Sequence, residues 1–183
     1  MPGSDRASGV VGTGSRAGRI SRVREHRYDL TVTWTGNSGK GTADPRAYGR
    51  GHVVSATGKP DLPGSSDPSF RGDPSRWNPE ELLVASLSQC HMLWFLGLAA
   101  SAGVVVTGYV DHPTGTMTEE SGGAGQFAEV TLRPEVTVSP SAGSATDVRD
   151  RLDALHQEAH QMCFIARSVN FPVRHQARVR IGA

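Results

Sequence analysis

The two cysteines of this chain, Cys90 and Cys163, each lie in a segment of helical pattern beside other ionisable side chains. Thiols so placed can do redox chemistry. A thiolate attacks an electrophilic atom, and a second thiol within bonding reach resolves the product as a disulfide. A structural disulfide framework is expected with more cysteines and a secretory signal, so the pattern points to free, reactive thiols. Two other readings stay open at this level. His156, His160 and Cys163 stand at i, i+4 and i+7 on one helix face, with Cys90 and His91 available opposite, a spacing that can bind zinc. A cysteine on an apolar helix is also commonly just a small buried hydrophobe, in which case the fold is a non-catalytic module holding a small hydrophobic ligand.

Composition bounds the rest. With 183 residues and 37% hydrophobic content the chain can build one domain with a sizeable core. Its formal charge of +1 is dispersed, with no basic stripe carrying interleaved aromatics, so no nucleic-acid partner is expected. The most apolar stretch, residues 92–102, is too short to span a bilayer and follows Ser86, Ser88, Gln89 and His91. The expectation is a soluble, cytoplasmic protein with no cofactor and no membrane partner.

The elements that must position the thiols follow from periodicity. Residues 1–25 are rich in Gly, Ser and Arg, lack the pattern of a packed element and are expected to be a disordered tail. Residues 26–183 form the single folded domain. From His26, Tyr28, Leu30, Val32 and Trp34 alternate with polar residues at the period of a half-buried strand. Further extended pieces are expected at 41–48 and 52–56, completing an antiparallel meander. Residues 58–76 hold four prolines and no periodicity, which predicts a long functional loop. Asn78, Pro79 and Glu81 then supply an N-cap, a first helical proline and a capping-box partner. The helix they start runs to Gly103, is apolar nearly all round and is expected at the centre of the structure.

Strands are expected at 104–110, then two more within 114–138 joined by the glycine-rich loop at 121–125. Ser141 or Ser144 caps a second helix whose buried stripe is predicted to be Val148, Leu152, Leu155, Ala159 and Met162, with His156 and His160 flanking it. Residues 173–181 alternate as a last strand, Arg174, Gln176, Arg178 and Arg180 on its polar face. The fold class is therefore α+β, helices against antiparallel strands. Glu80 precedes Cys90 by ten residues, so a continuous helix holds them about 15 Å apart. A carboxylate serving that thiol needs either a broken helix or the Glu80 of a two-fold partner.

The segments NPEELLVASLSQCHMLW (78–94) and HQMCFIARSVNFPV (160–173) resemble the OsmC/Ohr family. The resemblance extends over 26–181, and its most specific piece is Asn-Pro-Glu-Glu-Leu with a cysteine ten residues after the first glutamate. It implies an OsmC-like α+β fold, an intertwined homodimer with active sites at the subunit interface, and thiol-dependent reduction of organic hydroperoxides in oxidative-stress defence. Carried over, Cys90 is the peroxidatic thiol, Cys163 the resolving thiol and Glu80 the carboxylate that positions an arginine. That arginine usually follows a glycine in an early turn, which suggests Arg50. Arg71, in the loop before the catalytic helix, is the other main candidate, and Arg46 a third. The implied partners are a hydroperoxide and a thiol reductant, whether a dihydrolipoyl protein, thioredoxin or a small thiol. Three features depart from the family pattern: Phe164 and Ile165 follow Cys163 where proline is typical, His91 follows Cys90 directly, and the loop at 61–76 is longer. Met92, Trp94, Phe95 and Phe164 either line a pocket for a hydrophobic peroxide or are plain core.

Overall fold

A computed structural model describes residues 24–140 and 145–182. The expected N-terminal tail, apart from its last two residues, lies outside them, as do Ser141 and Ser144, the expected helix caps.

Strands β1 (Thr31–Trp34), β2 (His52–Ser55) and β3 (Leu62–Gly64) form an antiparallel sheet in that order. The extended piece expected at 41–48 is instead a run of turns. Asn37 Oδ1 accepts from the amides of Gly39 and Gly41 at 2.9 and 3.0 Å, and Asp44 Oδ1 accepts from the Arg46 amide at 2.6 Å. Such side-chain acceptors compete with a strand ladder for backbone N–H groups. The alternation of β1 does not bury one face within the chain, because Tyr28, Leu30 and Val32 are all exposed. The segment 58–76, expected to be a loop throughout, contains β3 and a 3₁₀ turn at Pro68–Phe70. That turn is capped by the Asp67 carboxylate and stopped by Arg71 in the left-handed region at φ 67°.

Helix α1 (Pro79–Ser101) begins and ends where its local signals place it. Asn78 Oδ1 accepts from the Glu81 amide at 2.7 Å while the Asn78 amide donates to Glu81 Oε2 at 3.2 Å. At the other end Gly103, at φ 71°, donates to the Ala100 carbonyl at 3.1 Å, and Val104 donates to that of Ala99 at 2.9 Å. These are the paired bonds of a Schellman stop, which a glycine in the left-handed region makes without strain. Only one stripe of α1 is buried in the chain, Leu87, His91, Phe95 and Ala99. Central burial all round is not met, and Leu93 is 66% exposed. By length and composition α1 could cross a bilayer; here its buried stripe packs against α2 and β4.

After α1 come β4 (Val106–Asp111), β5 (Thr114–Glu119), β6 (Gly125–Leu132) and β7 (Pro134–Val138), then α2 (Ala145–Met162), β8 (Val173–His175) and β9 (Arg178–Ile181). Two strands were expected over 114–138, and three are present. The single strand expected at 173–181 is also split in two. Both differences have one cause. The sheets β4-β7-β9 and β5-β6-β8 meet along a bend that cuts every strand at one level: between β4 and β5 at Pro113, between β6 and β7 at Arg133, and between β8 and β9 at Gln176 and Ala177. Proline has no amide for the ladder, so Pro113 and Pro134 favour the break there. The Gln176 amide still reaches the Leu132 carbonyl at 2.9 Å, holding the bend together. The sheets are mixed rather than purely antiparallel, since β8 joins β6 and β9 joins β7 in parallel.

Each half-sheet serves a different part of α1. Leu87 packs with Val130 and Leu132 of β6, whereas Phe95 and Ala99 pack with Val136 and Val138 of β7 and with Val148, Leu152 and Ala159 of α2. Burying a side chain of this size contributes about 1.5–3 kcal/mol. The bend therefore falls between the two clusters, at the level of residues 88–91. The inner face of α2 also differs from expectation. Met162 is 41% exposed, and the buried positions are Val148, Leu152, His156, Ala159 and, just past the helix end, Cys163. His156 does not flank the stripe but belongs to it.

Candidate active site

Cys90 projects from the middle of α1, half-buried, and Cys163 lies fully buried where α2 ends. Both are free thiols, and their side chains are in contact. The Cys163 sulfur accepts from the Ala166 amide at 3.4 Å, which fixes it in the turn that follows α2. Burial, reinforced by the neighbouring Cys90, pushes the Cys163 thiol up to about 11. It is therefore a protonated thiol near neutral pH, held against a more accessible one. Beside them Trp94 and Phe164 meet edge to face with centroids 5.7 Å apart, and Phe164 is 63% exposed. Phe95, by contrast, is plain core.

The helix is anchored to the sheet bend just before Cys90. Ser88 Oγ donates to Asp111 Oδ2 at 2.6 Å, and Asp111 Oδ1 accepts from the Arg133 amide at 2.6 Å. One carboxylate thus ties α1 to the break between β6 and β7. Sequence reasoning had no signal for this role of Asp111.

Glu80 is on the same unbroken helix as Cys90, in its first turn, and does not reach it. Its Oε2 is buried and has no protein partner among the described residues. It lines a cavity of about 530 Å³ together with Phe70, Trp77, Val84, Met117 and Phe127. Neither candidate arginine bonds to it. Arg50 donates to the carbonyls of Tyr48 and Pro45 and lies 4.1 Å over the Tyr48 ring. Arg71 is exposed and donates to that same Pro45 carbonyl at 3.2 Å. The two guanidinium groups are thus gathered at one loop carbonyl, Arg50 with a second carbonyl and an aromatic face besides and Arg71 exposed. Arg46 is exposed on the adjoining turn.

Among the described residues no group of three or more His, Cys, Asp or Glu side chains is placed to hold a metal ion. The histidines do something else. His91 Nε2 and His156 Nδ1 are 2.9 Å apart, both rings fully buried. Their interplanar angle of 2° and centroid separation of 5.2 Å describe two rings lying in one plane and joined edge to edge. Phe95 stacks on the His156 face at 4.0 Å, and His175 lies 5.4 and 5.8 Å from the two rings. Desolvation, with the neighbouring histidines second, pushes His91 down to about 4 and His156 down to about 3. His175 is lowered as well, by burial first. The one clue to this cluster in the sequence is that His175 occupies the apolar phase of the alternating last strand.

A family model for OsmC-like proteins matches residues 72–178. An OsmC-like protein of unknown function from Vibrio cholerae is 31% identical over 84% of this chain and 100% of that one, with a TM-score of 0.73. An organic hydroperoxide resistance protein from Legionella pneumophila is 15% identical over 85% of this chain and 98% of its own, with a TM-score of 0.56. One from Elizabethkingia anophelis, with thiocyanate bound, is 17% identical over 87% and 100%, with a TM-score of 0.58. No protein of curated function matches the sequence. The match over 72–178, which takes in α1, the sheet bend and both thiols, together with the Vibrio cholerae likeness, makes this chain a member of the OsmC-like family.

Proposed function

We propose that this protein is a homodimeric thiol peroxidase that reduces organic hydroperoxides through Cys90 and Cys163. The observation that carries the reading is the contact between an accessible thiol and a buried, protonated one. The Cys90 thiolate attacks the peroxide O–O bond; the sulfur takes one oxygen as a sulfenic acid, and the alkoxide leaves and picks up a proton. The Cys163 thiol then condenses with the sulfenic acid, releasing water and forming the Cys90–Cys163 disulfide. In sum, one hydroperoxide and two thiols become an alcohol, a water and a disulfide, which an external dithiol such as a dihydrolipoyl protein or thioredoxin reduces.

The dimer completes the site. A thiolate nucleophile is favoured by a nearby fixed cation, and a carboxylate can orient that cation in a bidentate fork. Glu80 is too far along α1 to act on its own Cys90, so the pair must come from two chains. Two further observations support a second copy: β1 leaves Tyr28, Leu30 and Val32 uncovered, and α1 leaves Leu93 uncovered. Large apolar surfaces of this kind are normally covered by a partner. The cavity beside Glu80 then adjoins the partner's thiols and holds the organic part of the substrate. Hydroperoxide resistance in structurally similar proteins agrees with this reading.

The deciding experiment is intact mass with thiol counting on reduced protein, before and after one equivalent of cumene hydroperoxide. Loss of two hydrogens and both thiols, mapped to a Cys90–Cys163 link and abolished in Cys90→Ser, is the expected result. Both thiols remaining free would exclude the peroxidase reading and favour a ligand-binding role for the cavity.

A further inference from the structure

The contact between the thiols is only as good as the docking of α1 on α2, and two neighbouring ridges of α1 set that docking. Cys90 and Trp94 form one i, i+4 ridge, which meets Cys163 and Phe164 beyond the end of α2. His91 and Phe95 form the adjacent ridge, and both rings close on His156. His156 precedes Cys163 by seven residues, so the two attachment points are about 10 Å apart along α2. Holding one fixes the other, because a helix that cannot slide or roll at His156 cannot carry Cys90 away from Cys163.

We infer that the His91–His156 imidazole pair is the positioning element that holds Cys90 within bonding reach of Cys163. The assignment rests on the thiol-pair reading above and adds to it a device outside the thiols themselves. It differs from ordinary core packing in being directional. An in-plane bond between two imidazoles at 2.9 Å fixes both the register and the roll of α1, whereas an apolar pair of the same size would tolerate both. It is also conditional. One ring must donate and the other accept, so a first added proton, taken up on an outer ring nitrogen, leaves the bond in place, and only protonation of both rings destroys it. The groups facing the pair cannot stabilise that added charge. From α2 they are His160 and, reaching only as far as His175, Asp153; from β8 the group is His175 itself. From β4, Tyr109 packs tilted against Phe95, its buried hydroxyl without a partner among the described residues. The nearest neighbours are therefore two more imidazoles and a phenol, with the carboxylates of Asp153 and Asp111 one group further out, beyond His175 and Tyr109. The bond should hold through neutral pH and outlast the first protonation of the pair.

The test is the equilibrium constant between the Cys90–Cys163 disulfide and dithiothreitol, measured with a diselenide catalyst so that exchange stays fast in acid. While all thiols are protonated the exchange releases no net proton, so this constant is flat with pH unless the element holding the thiols titrates. For the wild-type protein the expected result is a plateau from pH 7 down to the lowest pH at which urea melts still show it folded. Folded His91→Leu should show a constant roughly tenfold or more lower at pH 7, as the effective concentration of one thiol at the other drops. His91→Gln, whose amide can still reach His156 Nδ1, should restore it to within about threefold. A folded His91→Leu protein with the wild-type constant, or a His91→Gln protein no better than His91→Leu, would overturn the inference while leaving the peroxidase reading intact. A wild-type protein that never forms the disulfide would remove both.

Discussion

Glu80 and Cys90 stand on one unbroken helix, ten residues and about 15 Å apart, the glutamate in a cavity and the cysteine against Cys163. If both belong to one reaction, they meet only across two chains. That gives a prediction with a definite number. Glu80→Gln and Cys90→Ser homodimers should each be nearly inactive. Mixed and allowed to exchange, they form heterodimers in which one of the two sites combines an intact Glu80 with an intact Cys90. Random exchange makes half the molecules heterodimeric, so activity should recover to about a quarter of wild type. Peroxide consumption before and after exchange checks this, and no recovery despite proven exchange would place both groups in the same chain or remove Glu80 from the site.

The cation in that site is assigned by what each arginine is already doing. Arg50 has two carbonyl acceptors and an aromatic face, whereas Arg71 has one carbonyl and is exposed. Arg71 is therefore the group free to turn toward a partner's thiol. It also sits at φ 67°, a conformation glycine adopts without strain. Arg71→Gly should consequently leave the unfolding midpoint unchanged or slightly raised, while the rate of Cys90 oxidation by hydroperoxide falls by roughly 10- to 100-fold. Stopped-flow oxidation rates alongside urea melts separate the two effects. An Arg71→Gly protein with wild-type rates would pass the role to Arg50.

What was legible in the sequence and what was not divide along one line. Asn78, Pro79, Glu81 and Gly103 mark the ends of α1 because caps act on backbone within four residues of themselves, and the structure reproduces both ends. The thiols were legible as chemistry because their residue type is rare here. Long-range relations were not. Met162 and Cys163 are equally compatible with the stripe of α2, and only docking on α1 decides that Cys163 is inside. His156 reads as a flanking polar residue until His91 supplies its hydrogen bond from 65 positions away. The sheet bend escapes detection because it is a property of three strand pairs cut at one level, and Asp111 gains its role only once that bend meets Ser88.

Stability should fall steeply in acid, and the sign follows from the two buried rings. In the unfolded chain both take up a proton as pH drops through about 6.5. In the folded protein His91 stays neutral down to about 4 and His156 to about 3. Between these values the unfolded state binds more protons, so stability is fully present above about pH 6.5 and is lost as pH falls from there toward 4. Each ring contributes a slope of about 1.4 kcal/mol per pH unit, or about 3 kcal/mol for the pair. Against a total stability of about 5–15 kcal/mol this is enough to unfold the protein near pH 4–5. Urea melts between pH 7 and 4.5 measure the slope. In the double variant His91→Leu with His156→Leu it should be much shallower, keeping only the part that the buried His175 contributes.

The Ser88–Asp111 bond should couple stability to thiol chemistry. Its 2.6 Å hydroxyl-to-carboxylate contact anchors α1 two residues before Cys90, and the other carboxylate oxygen holds the Arg133 amide at the sheet bend. Ser88→Ala removes one of these bonds and should cost about 1–2 kcal/mol. Asp111→Ala removes both and strands the Arg133 amide at a half-buried bend, so it should cost more, about 2–4 kcal/mol. Because the two residues share one interaction, the double variant should be only slightly worse than Asp111→Ala alone, a coupling that a double-mutant cycle in urea reads directly. If the anchor also sets where Cys90 points, both single variants should slow Cys90–Cys163 disulfide formation after oxidation more than they slow the first oxidation of Cys90. Equal slowing of the two steps would mean that the bond stabilises the fold without aiming the thiol.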